Sequence, residues 1–281
     1  MKFTQRLALT YIRTKFRILS FISKEKAASA AFELFCTPQS RSMNPKTPLF
    51  ASATTIRLRY SDYDIVGYRW NEGGRKKVLI LHGYESAASN FEPFINPLLE
   101  KGYEVFAFDA PAHGSSSGTS VNALIYADLI VYLQETYGPF HSFLAHSFGG
   151  IALSLALERF AHDSSTRVAL VAPATETPTA IRQFFRVVGI NDPVVLEKFN
   201  AIILRISGRP VEWFSISRAI RQISATILWV HDEKDNITPI SDARKIMDEN
   251  HPSIQFVITT GLGHSRIYRD GEIGKMIVHF L

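Results

Sequence analysis

The chain has 281 residues, 46% hydrophobic and 20% charged, a composition that excludes a disordered or fibrous protein and suits one large globular domain with attachments. Its single cysteine, Cys36, excludes an intrachain disulfide and gives no zinc-ligand spacing; it reads as a small buried hydrophobe and fits a reducing, cytoplasmic setting. The formal net charge of +5 is uneven: residues 1–50 hold nine Lys/Arg and two acids, net +7, which leaves −2 for the remainder, so the body is not basic and no nucleic-acid partner is expected.

Residues 1–35 are expected to be helical and amphipathic. Lys2, Arg6, Arg13, Arg17 and Lys24 follow steps of four and seven and so share one helical stripe. Phe3, Leu7, Tyr11, Ile18 and Ile22 make an apolar face beside it. Wide apolar faces usually pack on protein, so this face is expected to lie against the chain's own body with the charges outward. The other reading is peripheral contact of residues 1–24 with an anionic membrane surface. No apolar run approaches the ~20 residues that span a bilayer. Arg13, Lys15 and Arg17 interrupt any secretory h-region, so no signal is expected either. The three prolines of residues 37–50 argue against helix or central strand, and this stretch reads as a linker. Residues 1–54 are thus expected to form a basic helical extension and linker.

From about residue 54 the chain alternates strand-like and helix-like segments. Strands are expected at Thr55–Tyr60, Ile65–Trp70, Val78–Leu81, Tyr103–Phe108, His141–Ala145, Arg167–Val171, Thr226–Val230 and Ile254–Thr259. Helices are expected at Phe91–Lys101, Val121–Tyr137, Gly149–Phe160, Ala180–Val188, Val194–Ile206, Val211–Ile223 and Asp242–Glu249. Val78-Leu79-Ile80-Leu81 is apolar throughout, as suits a parallel strand buried on both faces. Such alternation implies an α/β fold with a mostly parallel central sheet and helices on both faces. In such sheets active residues collect past the carboxyl ends of the strands.

The motifs sit at those ends. In Ala145-His146-Ser147-Phe148-Gly149 a strand runs straight into a helix with Ser147 at the junction. A sharp turn there lifts the hydroxyl clear, and small residues on either side let neighbouring chains approach. The usual pattern is G-x-S-x-G, with Ala145 here in place of the first glycine. Serine needs a base to take its proton. Of the nine histidines, His264 follows the last strand in a glycine-flanked loop, and chain order selects it. The imidazole in turn needs a carboxylate. Asp235 lies in the loop after Thr226–Val230, where Asp232 and Glu233 compete; both of these are expected to be solvated at the surface. Asp109 is a fallback acid, read first as a turn-capping carboxylate before Pro111. An oxyanion hole needs two backbone N–H groups: Phe148, after the nucleophile, and Tyr84, after His82-Gly83, are the candidates.

On these segments, together with Asp109-Ala110-Pro111-Ala112-His113-Gly114-Ser115, residues 55–281 resemble the α/β-hydrolase superfamily. The resemblance implies an α/β-hydrolase fold with a core over 55–172 and 223–281 and a helical cap inserted at 173–222. It makes Asp235 the triad acid. Phe184, Phe185, Val188, Phe199, Ile203, Trp213 and Phe214 would then either roof an acyl pocket or simply pack the cap. Serine-nucleophile members are mostly esterases, thioesterases, lipases or peptidases, which implies a small-molecule substrate with an apolar acyl group and calls for no metal or cofactor. An amide or peptide-bond hydrolase, aminopeptidase-like, and a non-catalytic ligand-binding member of the fold are the other readings.

Overall fold

The structure, a computed structural model, describes residues 3–41 and 47–281, with side chains from Leu7 onward in the first helix. Lys2, the side chains of Phe3 and Arg6, and linker residues 42–46 lie outside the described residues. Eight strands are present: β1 (Thr54–Tyr60), β2 (Tyr63–Trp70), β3 (Lys76–Leu81), β4 (Tyr103–Phe108), β5 (Ser142–His146), β6 (Arg167–Val171), β7 (Thr226–Asp232) and β8 (Ile254–Thr259). The helices are α1 (Phe3–Ile22), α2 (Lys24–Cys36), α3 (Pro48–Ala51), α4 (Glu92–Glu100), α5 (Ala123–Tyr137), α6 (Phe148–Leu157), α7 (Thr177–Val188), α8 (Pro193–Ser207), α9 (Ile216–Ala219), α10 (Ile240–Asp248), α11 (Gly263–Arg266) and α12 (Gly271–Phe280).

These elements fall into two compact units. One comprises Pro38–Thr175 with Ser215–Leu281, the other the described part of Met1–Thr37 with Glu176–Phe214. The larger unit holds the whole sheet, in the order β1-β2-β4-β3-β5-β6-β7-β8. The β1–β2 and β2–β4 pairs are antiparallel and all others parallel. Val78 and Ile80 share one core with Phe94, Ile95 and Leu98 of α4 and Ile273 and Ile277 of α12. Phe106 and Phe108 meet Tyr137 of α5, each at 5.8 Å. Apolar side chains are thus wanted on both sides of the central strands, which is why these strands read as continuous apolar runs. Each such side chain contributes roughly 1.5–3 kcal/mol by leaving water.

The chain passes from β3 to β4 on one side and then to β5 on the other, so strand order reverses between β3 and β5. A crevice opens beyond the carboxyl ends of strands at such a reversal. Leu81 pairs with Ala145, so the loops after β3 and β5 emerge side by side. Gly149 makes this possible. A Cβ there would stand 2.7 Å from both Leu81 O and His82 O, and neither carbonyl can step aside without moving β3. Gly149→Ala is expected to cost about 2–4 kcal/mol of stability. Urea unfolding checks this, and an unchanged midpoint would mean the backbone contact is not tight.

The smaller unit packs α2 through Ala27, Ala28 and Ala31, all fully buried, which lets another backbone come close. Phe32 and Phe35 of α2 set their rings 5.6 and 5.7 Å from Phe199 of α8, and Phe185 of α7 lies 5.2 Å from the same ring. Lys24 pairs with Asp192, and Lys198 with Glu25 at 3.4 Å. Phe185 and Phe199 are therefore used inside this unit's own core. Cys36 is buried, and burial pushes its thiol up to about 12.

The N-terminal stretch is helical in two pieces: Ser23 turns extended and its Oγ accepts from Lys26 N–H, capping α2. Three expectations need correction. The α1 face bearing Leu7, Tyr11, Ile18 and Ile22 does not pack inward. It is exposed, while Phe16 on the opposite side is 2% exposed. Pro48 does not prevent helix but starts α3 at its first turn, where a missing N–H costs nothing. Val211–Ile223 is not one helix either. It splits into a short 3-10 turn, α9 capped by Ser215 Oγ, and a second 3-10 turn. The sheet-bearing unit resumes at Ser215, where Ile216 N–H donates to Thr175 O at 2.8 Å.

Candidate functional site

Ser147 stands between β5 and α6 with φ 52° and ψ −116°, a left-handed conformation that strains a residue with a Cβ. Its backbone is held from both sides: its N–H donates to Val171 O at 3.1 Å, and its carbonyl accepts from Gly150 N–H at 2.9 Å and Ala174 N–H at 3.0 Å. Neighbours must come close, and they do. A Cβ on Gly83 would stand 3.0 Å from Ser147 Cβ and 2.9 Å from His146 Nδ1. The elbow exists because Ala145, Gly149 and Gly83 keep side-chain bulk away from it.

Ser147 Oγ lies 2.9 Å from His264 Nε2, and His264 Nδ1 lies 2.8 Å from Asp235 Oδ2. The carboxylate accepts a hydrogen bond from Nδ1–H, which leaves the Nε2 lone pair facing the serine hydroxyl. Asp235 is buried. Burial opposes its charge. The bond and charge of His264, with N–H donors from Thr238 and Ile237, win and hold its carboxyl below the ordinary range. The two N–H groups reach Oδ1 at 2.9 and 2.8 Å, a turn that Asp-x-x-Thr favours. Ser147, Asp235 and His264 follow β5, β7 and β8, and the fold brings all three together. Phe148 opens α6, whose first N–H groups lack helical partners. The Tyr84 and Phe148 rings meet edge to face at 5.6 Å, so these two half-buried residues also sit side by side.

Asp232 differs from its expected place. It is buried, not solvated. Its oxygens accept from Lys234 N–H at 2.9 Å, Thr259 Oγ1 at 2.8 Å, Gly261 N–H at 3.2 Å and Leu262 N–H at 2.8 Å. Burial opposes ionisation, but these bonds override it and hold the carboxyl down to about 2. Asp232 thus ties the loop carrying His264 to the end of β7. Glu233 is exposed. Asp109 is buried and accepts from Ala88 N–H and Ser115 N–H, both at 2.9 Å, the loop-capping role expected of it.

Three further residues escaped the sequence. Thr238 Oγ1 stands 2.9 Å from Asp235 Oδ2, 3.1 Å from His264 Nδ1 and 3.1 Å from Ala172 O. His146 donates from Nε2 to His264 O at 3.0 Å. His231 accepts from Trp229 Nε1–H at 3.2 Å and donates to Thr238 O at 2.7 Å. Only Thr238 carried a local signal, its place three residues after Asp235.

The alpha/beta hydrolase fold family model matches residues 76–217, half of the chain. The chain belongs to the alpha/beta hydrolase fold family. The esterase Pf2001 of Pyrococcus furiosus is similar at 18% identity, covering 88% of this chain and 97% of its own, with a TM-score of 0.66. A membrane phospholipase A described as a bacterial virulence factor is 15% identical, covering 99% and 97%, with a TM-score of 0.61. Mouse alpha/beta hydrolase domain-containing protein 10 is 15% identical, covering 81% and 96%, with a TM-score of 0.59. A search of the curated proteins finds no match to the sequence. At these identities the likenesses speak for the fold.

In this member of the alpha/beta hydrolase fold family the loops beside the elbow are joined by two buried neutral imidazoles. His82 donates from Nδ1 to Gly83 O at 2.7 Å and accepts Ala110 N–H at Nε2 at 2.9 Å. His113 donates to Pro111 O and accepts Glu85 N–H, both at 2.9 Å. Burial pushes both down to about 4. The unfolded chain protonates these rings near the ordinary ~6.5, the folded chain only near 4, so between those values the unfolded state holds more protons. Stability must therefore fall as pH drops from ~6.5 to ~4, by about 3 kcal/mol per ring over the whole window. Urea unfolding at about pH 7 and about pH 5 is expected to show a lower midpoint at the acid value; equal midpoints would mean that the rings titrate normally.

Proposed function

We propose that this chain is a serine hydrolase that cleaves a carboxylic ester or thioester through an acyl-enzyme. The observation that carries this reading is the chain of two hydrogen bonds from Asp235 through His264 to a serine on a strained elbow. Ser147 Oγ attacks the substrate carbonyl while His264 Nε2 takes its proton. The new oxyanion is held by the Phe148 and Tyr84 N–H groups. His264 returns the proton to the leaving alcohol or thiol as the carbonyl–heteroatom bond breaks. Water then attacks the acyl-serine with His264 again as base, and the carboxylic acid leaves. Asp235 keeps the imidazole in the required tautomer and stabilises its charged form throughout.

The names of two similar structures, an esterase and a phospholipase A, favour an ester over an amide. Tyr84 and Phe148 beside the serine support an apolar acyl group. The test is labelling of the full chain with a fluorophosphonate, followed by peptide mass mapping. A single phosphonylated peptide containing Ser147 is the expected result. A folded protein that stays unlabelled sinks the proposal in favour of a ligand-binding role.

A further inference from the structure

Helix α1 is 20 residues long, about 30 Å, and carries no acidic side chain. One side of it is seated on protein through Phe16, which is 2% exposed. The other side is apolar and open. Leu7, Tyr11, Ile18 and Ile22 recur at steps of four and seven and so form one stripe, and they are 55%, 70%, 55% and 68% exposed. Phe21 lies beside Ile18 on this stripe at 91% exposure. At about 100° per residue, Lys15 borders the stripe on one side and Arg13 and Arg17 on the other, and all three are exposed. Arg13 Nε donates to Val187 O at 3.0 Å, which anchors that flank of the helix on α7.

An apolar stripe with Lys15 on one flank and Arg13 and Arg17 on the other, without an acid along the helix, suits a surface that is greasy within and anionic at its rim. A second copy of this chain is disfavoured, because it would bring the same cations against these. Nucleic acid would leave the apolar centre uncovered. No helix among the described residues is long and apolar enough to cross a membrane, so the geometry fits a helix lying in the plane of the interface.

We infer that α1 docks this protein on a bilayer surface containing anionic phospholipid, with Leu7, Tyr11, Ile18, Phe21 and Ile22 entering the headgroup boundary and Arg13, Lys15 and Arg17 facing lipid phosphates. The inference stands independently of the hydrolytic reading. The test is flotation of the full chain with vesicles of phosphatidylcholine plus phosphatidylglycerol beside vesicles of phosphatidylcholine alone. The wild type is expected to float with the anionic vesicles and to be released by salt. Lys15→Gln with Arg17→Gln should weaken binding about 25-fold, roughly fivefold for each cation. Ile18→Glu with Phe21→Glu should abolish binding. All four side chains are exposed, so each variant should keep the wild-type thermal midpoint, which separates lost docking from lost folding. Wild type that stays in the unbound fraction with both vesicles would overturn the inference. So would full binding by the Ile18→Glu, Phe21→Glu variant, or a wild-type dimer that this variant dissociates, which would assign the face to a second copy.

Discussion

Ser147→Ala should abolish fluorophosphonate labelling and lower ester turnover by about 10⁴- to 10⁶-fold, with little change in stability. The size of the loss follows from the proposed mechanism. With the hydroxyl gone there is no atom for His264 Nε2 to activate, and a water in its place lacks the backbone bonds that position Ser147. What survives is binding and oxyanion stabilisation, which alone give about 10³- to 10⁴-fold over water. The substitution also relieves nothing in the elbow, because alanine keeps the Cβ that makes φ 52° unfavourable. A p-nitrophenyl ester panel read beside thermal unfolding checks both halves. A loss under about tenfold with labelling retained would move the nucleophile elsewhere.

The second large effect separates two neighbouring carboxylates. Asp235→Asn is expected to lower kcat by about 10⁴-fold while the fold stays intact. The amide removes the negative charge facing His264 Nδ1 and can present N–H₂ to it, which favours the wrong tautomer. Thr238 Oγ1, 3.1 Å from the same nitrogen, cannot replace a charge. Asp232→Asn should act differently. Its two oxygens accept four hydrogen bonds, and an amide nitrogen in place of one oxygen opposes donor to donor. A loss of about 2–4 kcal/mol in stability is expected, with kcat of the remaining folded enzyme reduced far less than in Asp235→Asn. Measuring kcat and the unfolding midpoint on both variants decides the matter. If Asp232→Asn shows the greater fall in kcat, the acid of the site is Asp232.

This pair also shows what the sequence makes legible. That Ser147, Asp235 and His264 come together is legible because each sits where a strand ends and each has a chemical need for the next. The strands β4 and β6 are readable to the residue, since buried strands are short apolar runs between polar turns; the half-exposed edge strand β8 is readable from the turn residues that bound it. Asp232 misleads because an acid at a strand end looks solvated until the backbone N–H groups of another loop, 29 and 30 residues later, are seen to point at it. The same blindness hid His146, whose partner is the carbonyl of residue 264. The α1 face is hard to place from sequence for a related reason. An amphipathic pattern says that a helix has two unlike sides, but Phe16 and its neighbours supply a second apolar side that the first stripe concealed. Capping geometry at Ser23 and Thr47, in contrast, was written locally in Ser and Thr just ahead of each helix.

The segment from Glu176 to Phe214 leaves the sheet-bearing unit after Thr175 and rejoins it at Ser215, and the Thr175–Ile216 hydrogen bond clasps its two ends. The two ends of the segment are thus held together on the sheet-bearing unit, and lengthening what lies between them adds only a slowly growing closure cost. Changes inside the segment should therefore leave the register of β6 and β7 and the spacing of Ser147, Asp235 and His264 undisturbed. Yet Phe199 is shared with Phe32 and Phe35 of α2, and Asp192 with Lys24. A graft of residues 176–214 alone would arrive without its other half. The packed module is a discontinuous one, and swaps of it should succeed only when the N-terminal helices travel with it.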